Sequence, residues 1–167
     1  IYGDDRDNPL LLYLHGGPGS ATSMYDYAFT RKWADVYTVV SWDQRNCGKS
    51  LNSSPVSELS CAQLVDDGLA LTEFLLDYMD TDKITLLGHS WGSYLGCKMA
   101  LERPEYYDCF IGTGQLVDMR ENERLLAEAA AGWVEGDAAG EALVAQLDPE
   151  SPDMEHYSAR NALLERY

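Results

Sequence analysis

The sequence predicts an α/β protein with a mainly parallel sheet and flanking helices, followed by a helical segment. Over the first two thirds of the chain, short apolar runs alternate with longer amphipathic stretches. Gly or polar residues end each apolar run. After Gln115 the composition changes: Ala, Glu and Leu dominate, and strand-like runs stop. We therefore expect a sheet domain over 1–115 and a helical segment over 116–167.

Four short apolar runs are the strand candidates. An apolar run without polar alternation is typical of a parallel strand that is covered on both faces. We expect these four strands to form the centre of the sheet. They are Leu10–Leu14, Val36–Ser41, Ile84–Leu87 and Cys109–Ile111.

Capping residues and proline mark the helices. Ser60 and Gln63 form the pattern of a capping box, and apolar residues follow at spacings of three and four up to Tyr78. A second helix begins near Trp91 and ends before Pro104, because a proline disfavours α geometry in the residue before it.

The helical segment 116–167 has two further helix signals and a strong charge. Asp137 is a candidate N-cap, and Ser151 followed by Pro152 marks another helix start. Twelve acidic and four basic residues give the segment half of the chain's net charge of −16. We interpret these acids as a solvated helical surface rather than as a dedicated cation site.

Composition excludes several classes of protein. A chain of 167 residues fits one domain, or one domain with a small appendage, and its 46% hydrophobic and 24% charged residues are typical of a globular protein. A net charge of −16 repels phosphate groups, so nucleic acid and anionic membranes are poor partners. The longest apolar run is far shorter than the ~20 residues that span a bilayer.

The cysteines favour a reducing compartment. They are irregularly spaced and contain no C-x-x-C, so we expect neither a zinc site nor a disulfide framework. Reduced, mostly buried thiols and a cytoplasmic location are the expectation, although a first residue Ile1 leaves the native N-terminus open. The four are Cys47, Cys61, Cys97 and Cys109.

A G-x-S-x-G motif, Gly88-His89-Ser90-Trp91-Gly92, lies directly after the strand candidate ITLL and directly before a helix. A serine at such a sharp turn projects its hydroxyl out of the sheet, and the flanking glycines permit the strained backbone. We expect Ser90 to be a nucleophile, with the N–H of Trp91 facing an oxyanion. The alternative is a tight structural turn.

A second glycine-rich motif, His15-Gly16-Gly17-Pro18-Gly19, also follows a strand candidate. Acyl transfer uses two donors on the developing oxyanion, and a glycine loop can present a backbone N–H there. Gly17 N–H is the candidate second donor, with Gly16 as the alternative. We interpret His15 as a structural residue that bonds within the loop rather than as a general base.

Three motifs in order, HGGPG, DQRNCGKS and GHSWGSYLG, resemble the α/β-hydrolase superfamily, and most closely its prolyl-iminopeptidase-like branch. Members of that branch typically read DQRGxGRS and GGSWGS. The chain departs from these patterns at Asn46, Lys49 and His89.

Loop-to-loop hydrogen bonding explains the residue types at Asp43, Gln44 and Arg45. We expect these three residues to brace the HGGPG loop rather than to act in chemistry.

The resemblance implies a serine hydrolase that forms an acyl-enzyme on a peptide N-terminus or a small amide, as an aminopeptidase of the proline-iminopeptidase type. A carboxylesterase or lipase-like hydrolase and a non-catalytic binding protein on the same frame are the alternatives. Metal ions and organic cofactors are not needed. Residues 1–115 would be a partial hydrolase core, and residues 116–167 the beginning of its helical cap.

In this superfamily the triad acid and histidine follow the nucleophile. After Ser90 the remaining histidine is His156, which we expect to be a surface or cap residue rather than the base. We therefore expect the acid and the histidine beyond Tyr167, a chain that is a fragment of a larger hydrolase, and no efficient turnover by these 167 residues alone. Exposed sheet edges would favour self-association.

Overall fold

The computed structural model describes residues 1–55 and 59–167. These residues divide into two units, Ile1–Leu116 and Val117–Tyr167. The division after Leu116 lies one residue beyond the change in composition at Gln115. Each unit is built around its own set of buried apolar side chains.

The first unit contains a four-stranded sheet in the order β2-β1-β3-β4, with every neighbouring pair parallel. The predicted α/β fold with a mainly parallel sheet is confirmed. Because β1 and β3 are neighbours, the loops that follow them meet at the carboxyl edge of the sheet. The strands are β1 (Leu10–Leu14), β2 (Thr38–Trp42), β3 (Ile84–His89) and β4 (Tyr107–Thr113).

Three strands differ from the predicted bounds. β3 continues past the expected end at Leu87 to His89, because Gly88 and His89 still pair with β4. β2 begins later than expected, because Val36 is exposed and Tyr37 N–H closes a turn on the Trp33 carbonyl at 2.7 Å. β4 is longer at both ends, since its pairing with β3 continues from Tyr107 to Thr113 through residues that are not apolar.

The helices of the first unit follow the predicted caps. Ser60 Oγ accepts the Gln63 N–H at 3.1 Å, and α3 ends at Glu102, before Pro104. The reciprocal half of the capping box is not formed, because the Gln63 amide donates to Asp67 one turn further on. The helices are α1 (Tyr27–Thr30), α2 (Cys61–Met79) and α3 (Trp91–Glu102), with short 3-10 turns at Arg31–Trp33, Gly48–Ser50 and Pro104–Tyr106.

Alternate residues of β1 point to the two faces of the sheet, which is why the whole strand is apolar. Leu12 and its neighbours on the same face pack against α2 and α3, where Leu69 and Met99 are buried. Leu11 packs on the other face with Val39. Full burial of one such side chain contributes about 1.5 to 3 kcal/mol, so β1 anchors the loop that follows it.

The two outer strands of the sheet differ. β2 receives an antiparallel bridge from Tyr2, with Tyr2 N–H donating to Val39 O at 3.0 Å and Val39 N–H to Tyr2 O at 2.7 Å. On the outer side of β4, the described residues place no strand, and most of its side chains are exposed. Self-association through sheet edges stays a prediction, and β4 is the strand to which it applies.

The second unit contains three helices, each capped by an aspartate: α4 (Met119–Trp133), α5 (Ala138–Val144) and α6 (Met154–Arg166). The predicted N-cap Asp137 is confirmed, since its carboxylate accepts the Ala139 N–H at 3.1 Å. The predicted helix start at Ser151 is wrong. Asp153 is the cap instead, because its carboxylate accepts two N–H groups of the first turn, at 2.9 and 3.0 Å.

The expectation of mostly buried thiols is wrong. Cys47 is buried, whereas Cys61 and Cys109 are exposed, because they lie on the first turn of α2 and on the outer strand β4. Among the described residues, no helix combines the length and the apolar character that crossing a membrane demands.

Candidate active site

Ser90 lies at the junction between β3 and α3 in a backbone conformation that non-glycine residues rarely adopt, with φ 52° and ψ −119°. Such a conformation costs of order 1 to 3 kcal/mol and persists only where neighbouring contacts hold it. Ser90 N–H donates to Thr113 O at 2.9 Å. Ser93 donates to Ser90 O through both its N–H at 2.9 Å and its hydroxyl at 2.6 Å. The strained turn is therefore fixed by β4 on one side and by α3 on the other.

The glycines of the G-x-S-x-G motif are required by close backbone packing. A β-carbon at Gly88 would collide with the backbone of Gly92, and one at Gly92 would collide with the carbonyl of Leu14. The motif therefore presses the start of α3 against the end of β1. This is the contact that brings the HGGPG loop to Ser90.

The HGGPG loop lies directly beside the serine. A β-carbon added at Gly16 would lie 3.3 Å from Ser90 Cβ and 3.4 Å from His89 O. Gly17 and Gly19 have φ values of 118° and 92°, which favour glycine, and the Gly17–Pro18 peptide bond is cis. The loop can thus present backbone amides close to the serine.

Two backbone amides near Ser90 are the candidate oxyanion donors. Trp91 is the first residue of α3, and the first N–H groups of a helix have no acceptor within the helix. Gly17 follows the residue that lies against Ser90. In the part of the chain that the structure describes, the Ser90 hydroxyl makes no hydrogen bond.

His15 is buried, with 1% of its surface exposed, and both of its ring nitrogens have partners. Nδ1 lies 2.8 Å from Gly16 O, and Nε2 lies 3.3 Å from the N–H of Gln44. A carbonyl oxygen can only accept, so the proton is assigned to Nδ1, and Nε2 accepts from Gln44. These contacts join the HGGPG loop to the loop after β2.

The Asp43-Gln44-Arg45 segment bonds to several parts of the first unit. The Asp43 carboxylate accepts from Ser23 Oγ at 2.8 Å and from Lys49 N–H at 2.9 Å. Arg45 forms a two-pronged ion pair with Asp67 on α2, with Nε to Oδ2 at 2.6 Å. The Gln44 side chain donates to His15 O at 3.2 Å.

Three residues of the site make polar contacts that lie outside the sequence-based expectations. Ser93, the last residue of SWGS, holds Ser90 O and also accepts the N–H of Leu116 at 3.0 Å. The Trp91 indole N–H donates to Gln44 Oε1 at 3.0 Å. His89 is exposed and lies 3.2 Å from the Thr113 hydroxyl through Nδ1. SWGS is a signal for Ser93, whereas the other two pairs are distant in sequence.

His156 is fully buried in the second unit, so of the two expected positions, surface or cap, the surface position is wrong and the cap position stays a prediction. Its Nε2 lies 3.0 Å from Glu123 Oε2, and its Nδ1 accepts the Asp148 N–H at 2.9 Å. Burial alone would raise the pKa of Glu123, but hydrogen bonds from His156 and Arg160 outweigh it and hold that pKa below its usual value. The buried carboxylate and the buried histidine are therefore partners within the second unit.

Residues 9–163 match the family model described as alpha/beta hydrolase fold. The chain therefore belongs to the α/β-hydrolase fold family. Its curated relatives include the probable aminopeptidase YbaC of Bacillus subtilis (strain 168), 37% identical over 125 residues, which are 74% of this chain and 39% of YbaC. A putative proline iminopeptidase of Mycoplasma pneumoniae is 38% identical over 96 residues, which are 56% of this chain and 28% of that protein.

Solved structures share the fold. A proline iminopeptidase-related protein from Thermus thermophilus superposes with a TM-score of 0.61 at 24% identity, over 98% of this chain and 50% of that one. The proline iminopeptidase of Mycobacterium smegmatis gives a TM-score of 0.59 at 23% identity, over 99% and 61%. The chain thus spans less than half of the curated relatives named above and about half of the T. thermophilus structure.

Proposed function

We propose that the chain carries the nucleophile and the oxyanion hole of a serine hydrolase that acts on the amino-terminal residue of a peptide or on a small amide. The observation that carries the proposal is the strained backbone of Ser90 on a strand-to-helix turn, with Gly16 packed against its β-carbon. Strained backbone of this kind clusters at functional sites, where neighbouring contacts hold it in place.

In the proposed reaction, Ser90 Oγ attacks the substrate carbonyl carbon, and the π electrons move onto the carbonyl oxygen. Trp91 N–H and Gly17 N–H, with Gly16 as the alternative, donate to that oxyanion. The hydroxyl proton passes to a histidine and then to the leaving amine as the C–N bond breaks. Water hydrolyses the resulting ester, which restores the serine and releases the acid.

The remaining parts of the triad are assigned by family order. The acid and the histidine follow the nucleophile in α/β-hydrolases, and both are proposed to lie beyond Tyr167. Because His156 is buried and held by Glu123 and Asp148, it is assigned a structural role. Residues 1–115 are accordingly proposed as part of the hydrolase core, and residues 116–167 as the beginning of its cap.

The proposed substrate class rests on the relatives named above, which are a probable aminopeptidase and a putative proline iminopeptidase. Small molecules, rather than nucleic acid or membranes, are the proposed partners, and the cytoplasm is the proposed location.

Active-site labelling tests the nucleophile. We expect a fluorophosphonate probe to label the complete protein, Ser90→Ala to abolish the labelling, and Ser158→Ala, at an exposed serine of α6, to leave it unchanged. Labelling that persists undiminished in Ser90→Ala would remove Ser90 from the mechanism.

Substrate comparison tests the class. Proline p-nitroanilide is compared with p-nitrophenyl acetate and butyrate at equal enzyme concentrations. We expect turnover of the anilide to exceed that of a variant carrying Ser90→Ala by more than about a hundredfold. Turnover of the esters without any aminopeptidase activity would favour the carboxylesterase alternative, and no Ser90-dependent turnover at all would favour the binding protein.

A further inference from the structure

Gln44 connects the two segments that supply the proposed oxyanion donors. Its side-chain NH₂ donates to His15 O at 3.2 Å, at the start of the HGGPG loop, and its Oε1 accepts the indole N–H of Trp91 at 3.0 Å. Its backbone N–H donates to His15 Nε2 at 3.3 Å. Only 1% of the residue is exposed, so water does not compete for these bonds.

The amide group suits this position because it has a donor and an acceptor on one planar group. Leucine or methionine would fill the volume without either bond. A carboxylate would accept from Trp91 but would face the His15 carbonyl with an acceptor, which is repulsive. Asparagine is one methylene shorter and cannot span both partners.

We infer that Gln44 is a positioning residue that sets the separation between the two oxyanion donors, an inference that rests on the proposed function. An oxyanion hole works only where both N–H groups meet the oxygen at hydrogen-bond distance. One donor belongs to α3 and the other to the loop after β1, and Gln44 is bonded to both segments. Displacement of one segment by a few tenths of an ångström weakens binding of the oxyanion but not of the uncharged substrate.

The test measures kcat and KM per fluorophosphonate-titrated site in the complete protein, for Gln44→Met, Gln44→Glu and Trp91→Phe. It also measures the inhibition constant of an aldehyde matching the acyl part of the best substrate, which gains an oxyanion when Ser90 Oγ adds to it. We expect Gln44→Met to lower kcat about tenfold, to raise the aldehyde inhibition constant by a similar factor, and to leave KM within about twofold. Trp91→Phe, which removes the indole N–H together with part of a ring packed on the core but keeps the bond from Gln44 to His15 O, should lower kcat by less.

Two further readouts separate positioning from general stability. The relative activity of Gln44→Glu, measured as kcat over wild-type kcat at each pH, should rise as pH falls, because the protonated carboxyl again donates to His15 O. Thr72→Val removes buried hydrogen bonds to Gly68 O and Tyr107 Oη, which lie away from Ser90. This control should lower Tm while its kcat per titrated site stays unchanged.

The outcomes distinguish the two proposals. Wild-type kcat and aldehyde affinity in Gln44→Met, in a protein that Ser90→Ala inactivates, would overturn the role of Gln44 alone. An equal loss of kcat in Thr72→Val would also overturn the role of Gln44 alone. So would a KM of Gln44→Met that rises by the same factor as its kcat falls. Full activity in Ser90→Ala would overturn the proposed function, and the role of Gln44 with it.

Discussion

The first and second units each bury one histidine, and the two are held in opposite ways. His15 donates through Nδ1 to a carbonyl and accepts through Nε2 from a backbone N–H. His156 accepts through Nδ1 from a backbone N–H and faces the Glu123 carboxylate through Nε2. The pair in the second unit has the composition of a catalytic acid and histidine, yet it is closed from solvent. A carboxylate–histidine pair is thus not evidence of chemistry without access and a nucleophile.

The difference predicts separate consequences for stability and activity. The His15 contacts hold the loop that lies beside Ser90, so they should affect the chemistry. The His156 contacts join α4 to α6 within the second unit, so they should affect unfolding.

His156→Ala should give the largest loss of stability. It removes one hydrogen bond of the buried Glu123 carboxylate and leaves the Asp148 N–H without its acceptor. Removing one partner of a buried charged network costs about 3 to 5 kcal/mol. Urea unfolding followed by far-UV circular dichroism measures it, with Ser158→Ala as the control on the same helix. A loss below about 1 kcal/mol, the size of one ordinary hydrogen bond, would show that the network contributes little.

His15→Ala should act mainly on the chemistry. It leaves the Gln44 N–H unpaired in the interior, which costs about 1 to 3 kcal/mol, and it removes one of the two hydrogen bonds of Gly16 O, which keeps the Ser20 N–H at 3.3 Å. Because the HGGPG loop loses its brace, we expect the rate constant of fluorophosphonate labelling at Ser90 to fall about tenfold under conditions in which the variant is folded. His156→Ala, measured under the same conditions, should label at the wild-type rate, and equal labelling rates in both variants would contradict the division.

The features of the fold and the site that can be predicted from the sequence are those fixed by residues close together in the chain. The predicted bounds of β1 are correct because every residue of the run is apolar. The serine turn is recognisable because the glycines that it requires lie within one stretch of five residues, Gly88–Gly92. Asp108 and Thr113 interrupt the apolar run of β4, so the predicted ends are wrong. The Trp91–Gln44 and His156–Glu123 pairs join residues 47 and 33 positions apart, and no local pattern reports such contacts.

The pH dependence of the free energy of unfolding should reveal the contribution of the Glu123 network. The pKa of Glu123 is lowered in the folded protein, so the unfolded state takes up its proton at higher pH than the folded state. The stabilisation is therefore present above the ordinary pKa of glutamate in the unfolded chain and is lost as pH falls towards the lower folded pKa. In Glu123→Gln, the free energy of unfolding between about pH 5 and pH 3 should fall less steeply than in wild type. Parallel curves would contradict the role of this carboxylate.

The smallest expected effects concern the helix caps, one from each unit. Ser60 Oγ accepts one N–H of α2, whereas the Asp153 carboxylate accepts two N–H groups of α6 and also carries a negative charge at the helix N-terminus. Ser60→Ala should lower the free energy of unfolding by about 1 kcal/mol, and Asp153→Ala by up to about 2 kcal/mol.

The Asp153 cap should also be coupled to the His156–Glu123 pair, because Asp153 accepts the backbone N–H of His156. The double variant Asp153→Ala with His156→Ala should therefore lose less stability than the two single losses added, whereas Ser60→Ala with His156→Ala should be additive. Urea unfolding of the single and double variants measures both, and additivity in both pairs would show that the Asp153 cap and the His156 network act independently.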